Sequence, residues 1–211
     1  MREIIMMTLM VVSARFCMAQ YPGFTPVKDL SQFTGAFAAA SQKIQTIKSN
    51  FVQEKELSML AEKIISKGNF WFKKESMVRM EYTHPFQYLM IINRDKVYVK
   101  DAQKENKVSA RSNKLFQQIN QIMIDCMQGT TLSNKDFQTR VFESKGTYLV
   151  EMVPVVKGLK DMFKHINVTI ARNDYTVNSI EMLEVAGDNT TIRFTNKELN
   201  TTIQDALFTI R

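Results

Sequence analysis

Residues Ser49 to Asp101 read SNFVQEKELSMLAEKIISKGNFWFKKESMVRMEYTHPFQYLMIINRDKVYVKD. Short runs in this stretch alternate apolar with polar side chains, and charged or turn-forming residues separate them. Phe51-Val52-Gln53, Gly68 to Phe72, Val78 to Tyr82, Leu89 to Ile92 and Val97 to Val99 are the centres of those runs. Alternation with period two predicts antiparallel strands with one greasy face. Strand parity names that face: Phe51, then Phe70 and Phe72, then Val78, Met80 and Tyr82, then Met90 and Ile92, then Val97 and Val99. Trp71, Arg79 and Glu81 fall on the other side. The connection from Ser58 to Ile65 reads as longer and partly helical, and Ala102 to Asn113 as a polar loop.

Upstream, Thr25-Pro26 offers a capping hydroxyl followed by proline at a first helical position. Leu30, Phe33, Phe37, Ile44 and Ile47 recur at helical spacing, predicting an amphipathic helix from about Val27 to Lys48. Downstream, Leu115, Phe116, Ile119, Ile122, Met123 and Cys126 predict a second helix over Asn113–Gln128, ended by Gly129. Strands return at Phe137 to Ser144, Thr147 to Val153, Ile166 to Ala171, Val177 to Val185, Thr190 to Phe194 and Ala206 to Ile210. The short connections make neighbours antiparallel. The expected fold is α+β: a half-open antiparallel barrel of ten or eleven strands whose concave apolar face is covered by two or three helices. Leu30, Phe33, Phe37, Ile119 and Met123 are the helix residues that would face it.

The first nineteen residues read as a signal peptide. Met1-Arg2 is a short basic start, Ile4 to Val12 an apolar run too short to span a bilayer, and Cys17-Met18-Ala19 supplies small residues for cleavage before Gln20. An N-terminal anchor that stays on, with Arg15 interrupting the signal pattern, is the competing reading, and lipidation at Cys17 is a third that Ala14-Arg15-Phe16 fits poorly. Residues 20–211 form one domain. Loss of Arg2, Arg15 and Glu3 takes the formal charge from +7 to +6 and leaves Cys126 as the lone cysteine, so no internal disulfide is available. The basic excess is dispersed, without a run of like charge, and no nucleic-acid motif accompanies it. Nine methionines remain after residue 19, a residue type that suits either an ordinary core or a surface adapting to varied apolar shapes.

Phe51-x-Gln53, Gly68-x-Phe70-x-Phe72, the strand Arg79-Met80-Glu81-Tyr82 with Pro85 after it, and the late Gly187-Asp188-Asn189-Thr190-Thr191-Ile192-Arg193-Phe194 with Asn200 and Ala206-Leu207-Phe208 together resemble the periplasmic outer-membrane lipoprotein carriers, the LolA-like proteins. The resemblance covers nearly all of residues 20–211. It implies a helix-lidded half-barrel that shelters acyl chains of lipoproteins or related lipids. It also implies a monomer that takes cargo from an inner-membrane lipoprotein-releasing transporter and yields it to an outer-membrane receptor. Two positions depart from the family pattern. An arginine that latches the lid, and the proline after it, are replaced by Lys74 and Glu75, and the third-strand tryptophan by Met80. A lipid- or peptide-sensing periplasmic domain of the same fold is the alternative.

Catalysis finds little support. His84 and His165 are the only histidines, no Gly-x-Ser-x-Gly turn or glycine-rich phosphate loop occurs, and Cys126 lies on an apolar helix face. No enzyme activity, cofactor or metal is expected.

Overall fold

The alternation in Ser49–Asp101 becomes five consecutive strands. The computed structural model describes residues 21–60, 62–94, 96–101, 105–109 and 114–210, the side chains of 105–109 and 114–120 excepted. The signal peptide expected at 1–19 lies outside these residues. In order, the elements are β1 (Thr25–Pro26), α1 (Leu30–Lys43), β2 (Thr46–Glu56), β3 (Lys63–Lys73), β4 (Met77–His84), β5 (Tyr88–Asn93), β6 (Lys96–Asp101), β7 (Glu105–Ser109) and α2 (Lys114–Gln128). There follow β8 (Phe137–Glu143), β9 (Thr147–Pro154), α3 (Lys157–Lys160), β10 (Phe163–Ala171), β11 (Val177–Glu184) and β12 (Asn189–Leu199), with 3-10 turns at Thr131–Ser133 and Asp205–Phe208.

All strands pair antiparallel in one open sheet, in the order β1-β8-β9-β10-β11-β12-β2-β3-β4-β5-β6-β7. Two meanders, β2–β7 and β8–β12, are therefore joined edge to edge by the β12–β2 ladder. Eleven strands have five residues or more, and the two-residue β1 pads the edge. A twisted sheet of this width curls, and α1 and α2 pack on the apolar side of the curl. The result is an α+β half-barrel.

Several sequence expectations shift. Helix α1 starts at Leu30, not near Val27, because the Asp29 side chain caps it, accepting from the Gln32 amide at 2.8 Å. Thr25-Pro26 instead pairs with Phe142 and Glu143 at the sheet edge. The helix ends at Lys43, and Ile47 belongs to β2, whose buried positions also satisfy helical spacing. The partly helical connection expected over Ser58–Ile65 is a hairpin tip, since Glu56 already pairs with Lys63. The loop expected over Ala102–Asn113 holds strand β7. The final strand expected at Ala206–Ile210 is a 3-10 turn, because its apolar residues go to the convex face rather than to the sheet edge.

On that convex face Ile203 and Phe208 bury Ile91 and Tyr98, with Trp71, Met77 and Leu89 around them. Arg79 lies over the Trp71 ring and donates to the Leu207 carbonyl at 3.1 Å. Asn93 donates to the Phe208 carbonyl at 3.1 Å. The opposite half of the convex face carries a polar row. Arg140, Glu151, Asn167 and Glu181 lie side by side on β8 to β11, and Tyr21 closes over Glu151 with a 2.7 Å hydrogen bond.

Candidate lipid-binding groove

Cross-strand register arranges the concave face of β2–β6 as successive rows. The deepest row is Ile47, Phe72, Val78, Ile92 and Val97; the next is Ser49, Phe70, Met80, Met90 and Val99. The third is Phe51, Gly68, Tyr82, Tyr88 and Asp101, and beyond it Gln53 faces Ser66. The face thus runs from wholly aliphatic and aromatic at depth to phenols, amides and a carboxylate at its end. Apart from Ser49, nothing in the first two rows is polar. The Ser49 hydroxyl is buried with no hydrogen-bond partner among the described residues.

Every sequence-predicted lining residue falls on these rows. Phe51, Phe70, Phe72, Val78, Met80, Ile92 and Val97 are buried, and Tyr82, Met90 and Val99 are half-buried against the same cluster. The other meander contributes residues that the sequence reading did not place there. Phe194 sits edge-on to Phe70 at 4.9 Å, and Val141, Val150, Val168, Ile180 and Ile192 continue one row to Gln53. Their alternation marks them as strand-core positions, but only the β12–β2 seam reveals that both meanders share one interior.

Gly68 has a specific job. A Cβ there would stand 2.1 Å from the Glu81 carbonyl oxygen and 2.8 Å from the Phe51 ring. Its absence lets Phe51 lie across β3 and meet Tyr82 edge-on at 4.8 Å. Tyr82 donates to Gln53 Oε1 at 2.9 Å, and its ring meets Tyr88 at 5.3 Å. Burial raises the phenol of Tyr82 above its ordinary range, and burial together with the Asp101 carboxylate raises that of Tyr88. Both hydroxyls therefore stay protonated as donors. A cavity of about 620 Å³ opens here, lined by Gln53, Ser66, Tyr82, Pro85, Phe86, Gln87, Tyr88 and Asp101.

Apolar side chains protrude around this end. Met59 is 94% exposed at the β2–β3 tip and Phe86 78% exposed in the β4–β5 loop; Leu60, Ile64, Ile65 and Val185 are also exposed.

The cover comes from the helices. Phe33 and Phe37 of α1 are buried, Phe33 packing on Tyr148 at 4.6 Å, and Met123 of α2 is half-buried against the main cluster. Leu30 remains 52% exposed in the first turn, and the side chain of Ile119 lies outside the description. The helices touch where Gly129, at φ +74°, meets Ser41. Lys74, in the β3–β4 turn, donates from Nζ to the Gln42 carbonyl at 2.9 Å, in the last turn of α1. That is the position singled out by resemblance as the lid latch. The following residues of this three-residue connection, Glu75 and Ser76, both adopt positive φ.

Cys126 is fully enclosed, and burial pushes its thiol up to about 12, so little nucleophilic thiolate exists at neutral pH. Among the described residues, no group of three or more His, Cys, Asp or Glu side chains stands where it could hold a metal ion. No described helix is long and apolar enough to cross a membrane.

An open antiparallel half-barrel with helices laid over its concave face defines an architectural class, and comparison with known proteins narrows it. The profile of the family described as outer membrane lipoprotein carrier protein LolA matches residues 42–211. The chain belongs to this family. No curated protein matches it. An uncharacterized conserved protein from Thermus thermophilus superposes with a TM-score of 0.51 at 8% identity, covering 87% of this chain and 95% of that one. The MucA/MucB complex structure from Pseudomonas aeruginosa gives 0.50 at 11% identity, covering 85% of this chain and 60% of that one. A LolA superfamily protein from Nitrosomonas europaea gives 0.44 at 7% identity, covering 84% and 97%. At such identities the likeness is one of fold.

Proposed function

We propose that this protein is a periplasmic carrier that shelters the acyl chains of lipoproteins or related lipids and shuttles them from the inner to the outer membrane. The observation that carries this reading is the graded concave face, whose two aliphatic-aromatic rows end at a polar mouth. That gradient matches an amphiphile held tail-inward. Burying a methylene is worth roughly 0.8 kcal/mol, so a long acyl chain brings roughly 10 kcal/mol without any charged contact. No catalytic group is needed for such a task. Residues 1–19 act in this reading as the export signal, and the partners are an inner-membrane lipoprotein-releasing transporter and an outer-membrane receptor. The protruding Met59, Leu60 and Phe86 at the mouth supply apolar surface for hand-over.

Because the deep rows are sealed, cargo enters only as the helical cover yields. Phe51, Phe70, Phe72, Val78, Met80, Tyr82, Met90, Ile92, Val97 and Val99 then line the chain, and Lys74 on Gln42 sets how firmly the cover closes.

The test is displacement of a fluorescent fatty-acid reporter, with native mass spectrometry of gently purified protein. We expect co-purified lipid or acylated protein, and at least a tenfold loss of reporter affinity in Phe70→Glu. Since a buried carboxylate threatens folding, Met90→Trp, at a half-buried site, is the second variant, and it lowers affinity by filling the groove. Undiminished reporter binding in folded Met90→Trp and Phe70→Glu proteins would refute the assignment.

A further inference from the structure

A second cavity lies away from the groove mouth, and no residue lines both. It opens about 470 Å³ between the first turn of α1 and the turns that join β8 to β9 and β10 to β11. The rings of Phe33, Tyr148 and Tyr175 form its wall. Its rim carries Lys28, Asp29, Gln32, Glu143 and Arg172.

Tyr148 anchors the wall. Phe33 tilts against its ring at 4.6 Å, Tyr175 stacks beside it at 5.8 Å, and the Arg172 guanidinium lies over it at 5.0 Å. Tyr148 is thereby buried, while Tyr175 keeps part of its ring open to solvent. Tyr175 holds that place against its backbone preference. Its φ is +57°, in the left-handed region that bulky side chains disfavour, although Asn173 and Asp174, which tolerate it better, stand just before. Hydrogen bonds pin the turn around it. The Tyr175 amide donates to the Ala171 carbonyl at 3.0 Å, and Asp174 accepts from the Thr176 amide at 2.9 Å and hydroxyl at 2.8 Å. An aromatic ring is thus kept where glycine would fit the backbone better, and strain of this kind clusters at ligand clamps.

The rim offers polar atoms of both signs with capacity left over. Arg172 uses Nη1 for Glu143 Oε2 and for the Ser144 carbonyl, both at 3.1 Å. Among the described residues, its Nε and Nη2 make no hydrogen bond, nor do the side chains of Lys28 and Gln32. Asp29 Oδ1 caps α1 and Glu143 Oε2 holds Arg172, which leaves one oxygen on each carboxylate. Two cations and two carboxylates cancel, so net charge favours neither an anion nor a cation. A bare acyl chain would desolvate the rim without satisfying it. The Tyr148–Tyr175 pair is already stacked and admits no third ring between its members. What matches is an uncharged ring with an apolar face and hydroxyls along its edge. A hydroxyl both donates to carboxylates and accepts from guanidinium, ammonium and amide.

We propose that this cavity binds a pyranose unit of a glycan or glycolipid, its C–H face on Tyr175 and its hydroxyls on the rim. The site goes beyond the carrier reading and does not depend on it.

The test is ligand-observed NMR titration of the purified protein with methyl β-D-glucopyranoside, methyl N-acetyl-β-D-glucosaminide and sorbitol. At least one pyranoside should bind tenfold more tightly than sorbitol, which has the hydroxyls but no ring face. Tyr175→Gly should weaken that binding at least tenfold while relieving the backbone, and Tyr175→Phe should stay within threefold of the parent. Gln32→Ala, at an exposed position, should weaken it at least threefold and keeps the test decisive if Tyr175→Gly does not fold. Absence of pyranoside binding, equal binding of sorbitol, or undiminished binding in the folded variants overturns the site. Each of those results leaves displacement of the fatty-acid reporter, and with it the carrier reading, untouched. Octyl β-D-glucopyranoside below its micellar range and the N-acetylglucosamine trisaccharide then separate the two sources. Tighter binding of the octyl glycoside with reporter displacement assigns a glycolipid, and tighter binding of the trisaccharide without displacement assigns a glycan. No gain from either extension refutes the proposal.

Discussion

Gly129 carries two constraints at once: φ is +74°, and an added Cβ would stand 2.1 Å from Ser41 Oγ and 2.4 Å from Ser41 Cβ. Gly129→Ala should therefore cost about 1–2 kcal/mol for the left-handed backbone and about 1–3 kcal/mol for overpacking. Ser41→Gly removes the second cost but not the first, so the double variant should recover part of the loss in urea unfolding. Full additivity of the two substitutions would show that the helices do not meet there. Glu151 offers a different residue-scale test. Burial acts to raise its carboxyl, but hydrogen bonds from Arg140 and Tyr21 outweigh it and hold the group below the ordinary carboxylate range. A depressed carboxylate contributes stability that is complete above the unfolded pKa, about 4.3, and is lost as pH falls through the lower folded value. Unfolding midpoints of Glu151→Gln should therefore lie below the parent at neutral pH and converge on it in acid. A constant gap from pH 7 to pH 2 would remove Glu151 from the acid limb.

Among the elements, the β3–β4 turn connects sheet and cover. The Lys74 ammonium sits on a carbonyl of the last turn of α1, where the helix dipole is negative. Lys74→Met should loosen α1 by about 0.5–1 kcal/mol, speed reporter entry a few-fold, and weaken the parent's salt dependence of entry. Lys74→Arg should restore slow entry, because a planar fork offers more donors to the same carbonyls. Unchanged entry rates in both variants would discard the latch. The strands of Ser49–Asp101 and their inward parity were legible because period two is strong and each run is bounded by turn residues. Helix α1 was legible in existence but not in extent. Ile44, at the C-cap of α1, and Ile47, in β2, are both buried and both fit helical spacing, and a sequence cannot separate the two. Strand β7 was hidden in a polar stretch, and the C-terminal turn mimicked a strand because Leu207 and Phe208 are apolar for the sake of the convex face. The mouth pocket was illegible for another reason. Gln53, Ser66, Tyr88 and Asp101 are ordinary residues until register puts them on neighbouring strands.

At the scale of the whole molecule, belonging to the LolA family fits the division between a sealed greasy interior and a polar mouth. The two meanders each consist of hairpins between near neighbours in sequence. The ladder that unites them pairs Phe51 with Phe194 and Val52 with Arg193. Ordering a loop of that length costs an entropy of order 4 kcal/mol before any contact across it forms, whereas each hairpin closes over a few residues. The shared interior is thus the product of the least local contact in the chain. Phe70 meets Phe194 only after the last long strand has been made, and until then each leaf exposes its greasy face to water. Until that ladder forms, this chain presents to water the same kind of apolar surface that its finished sheet and helices enclose.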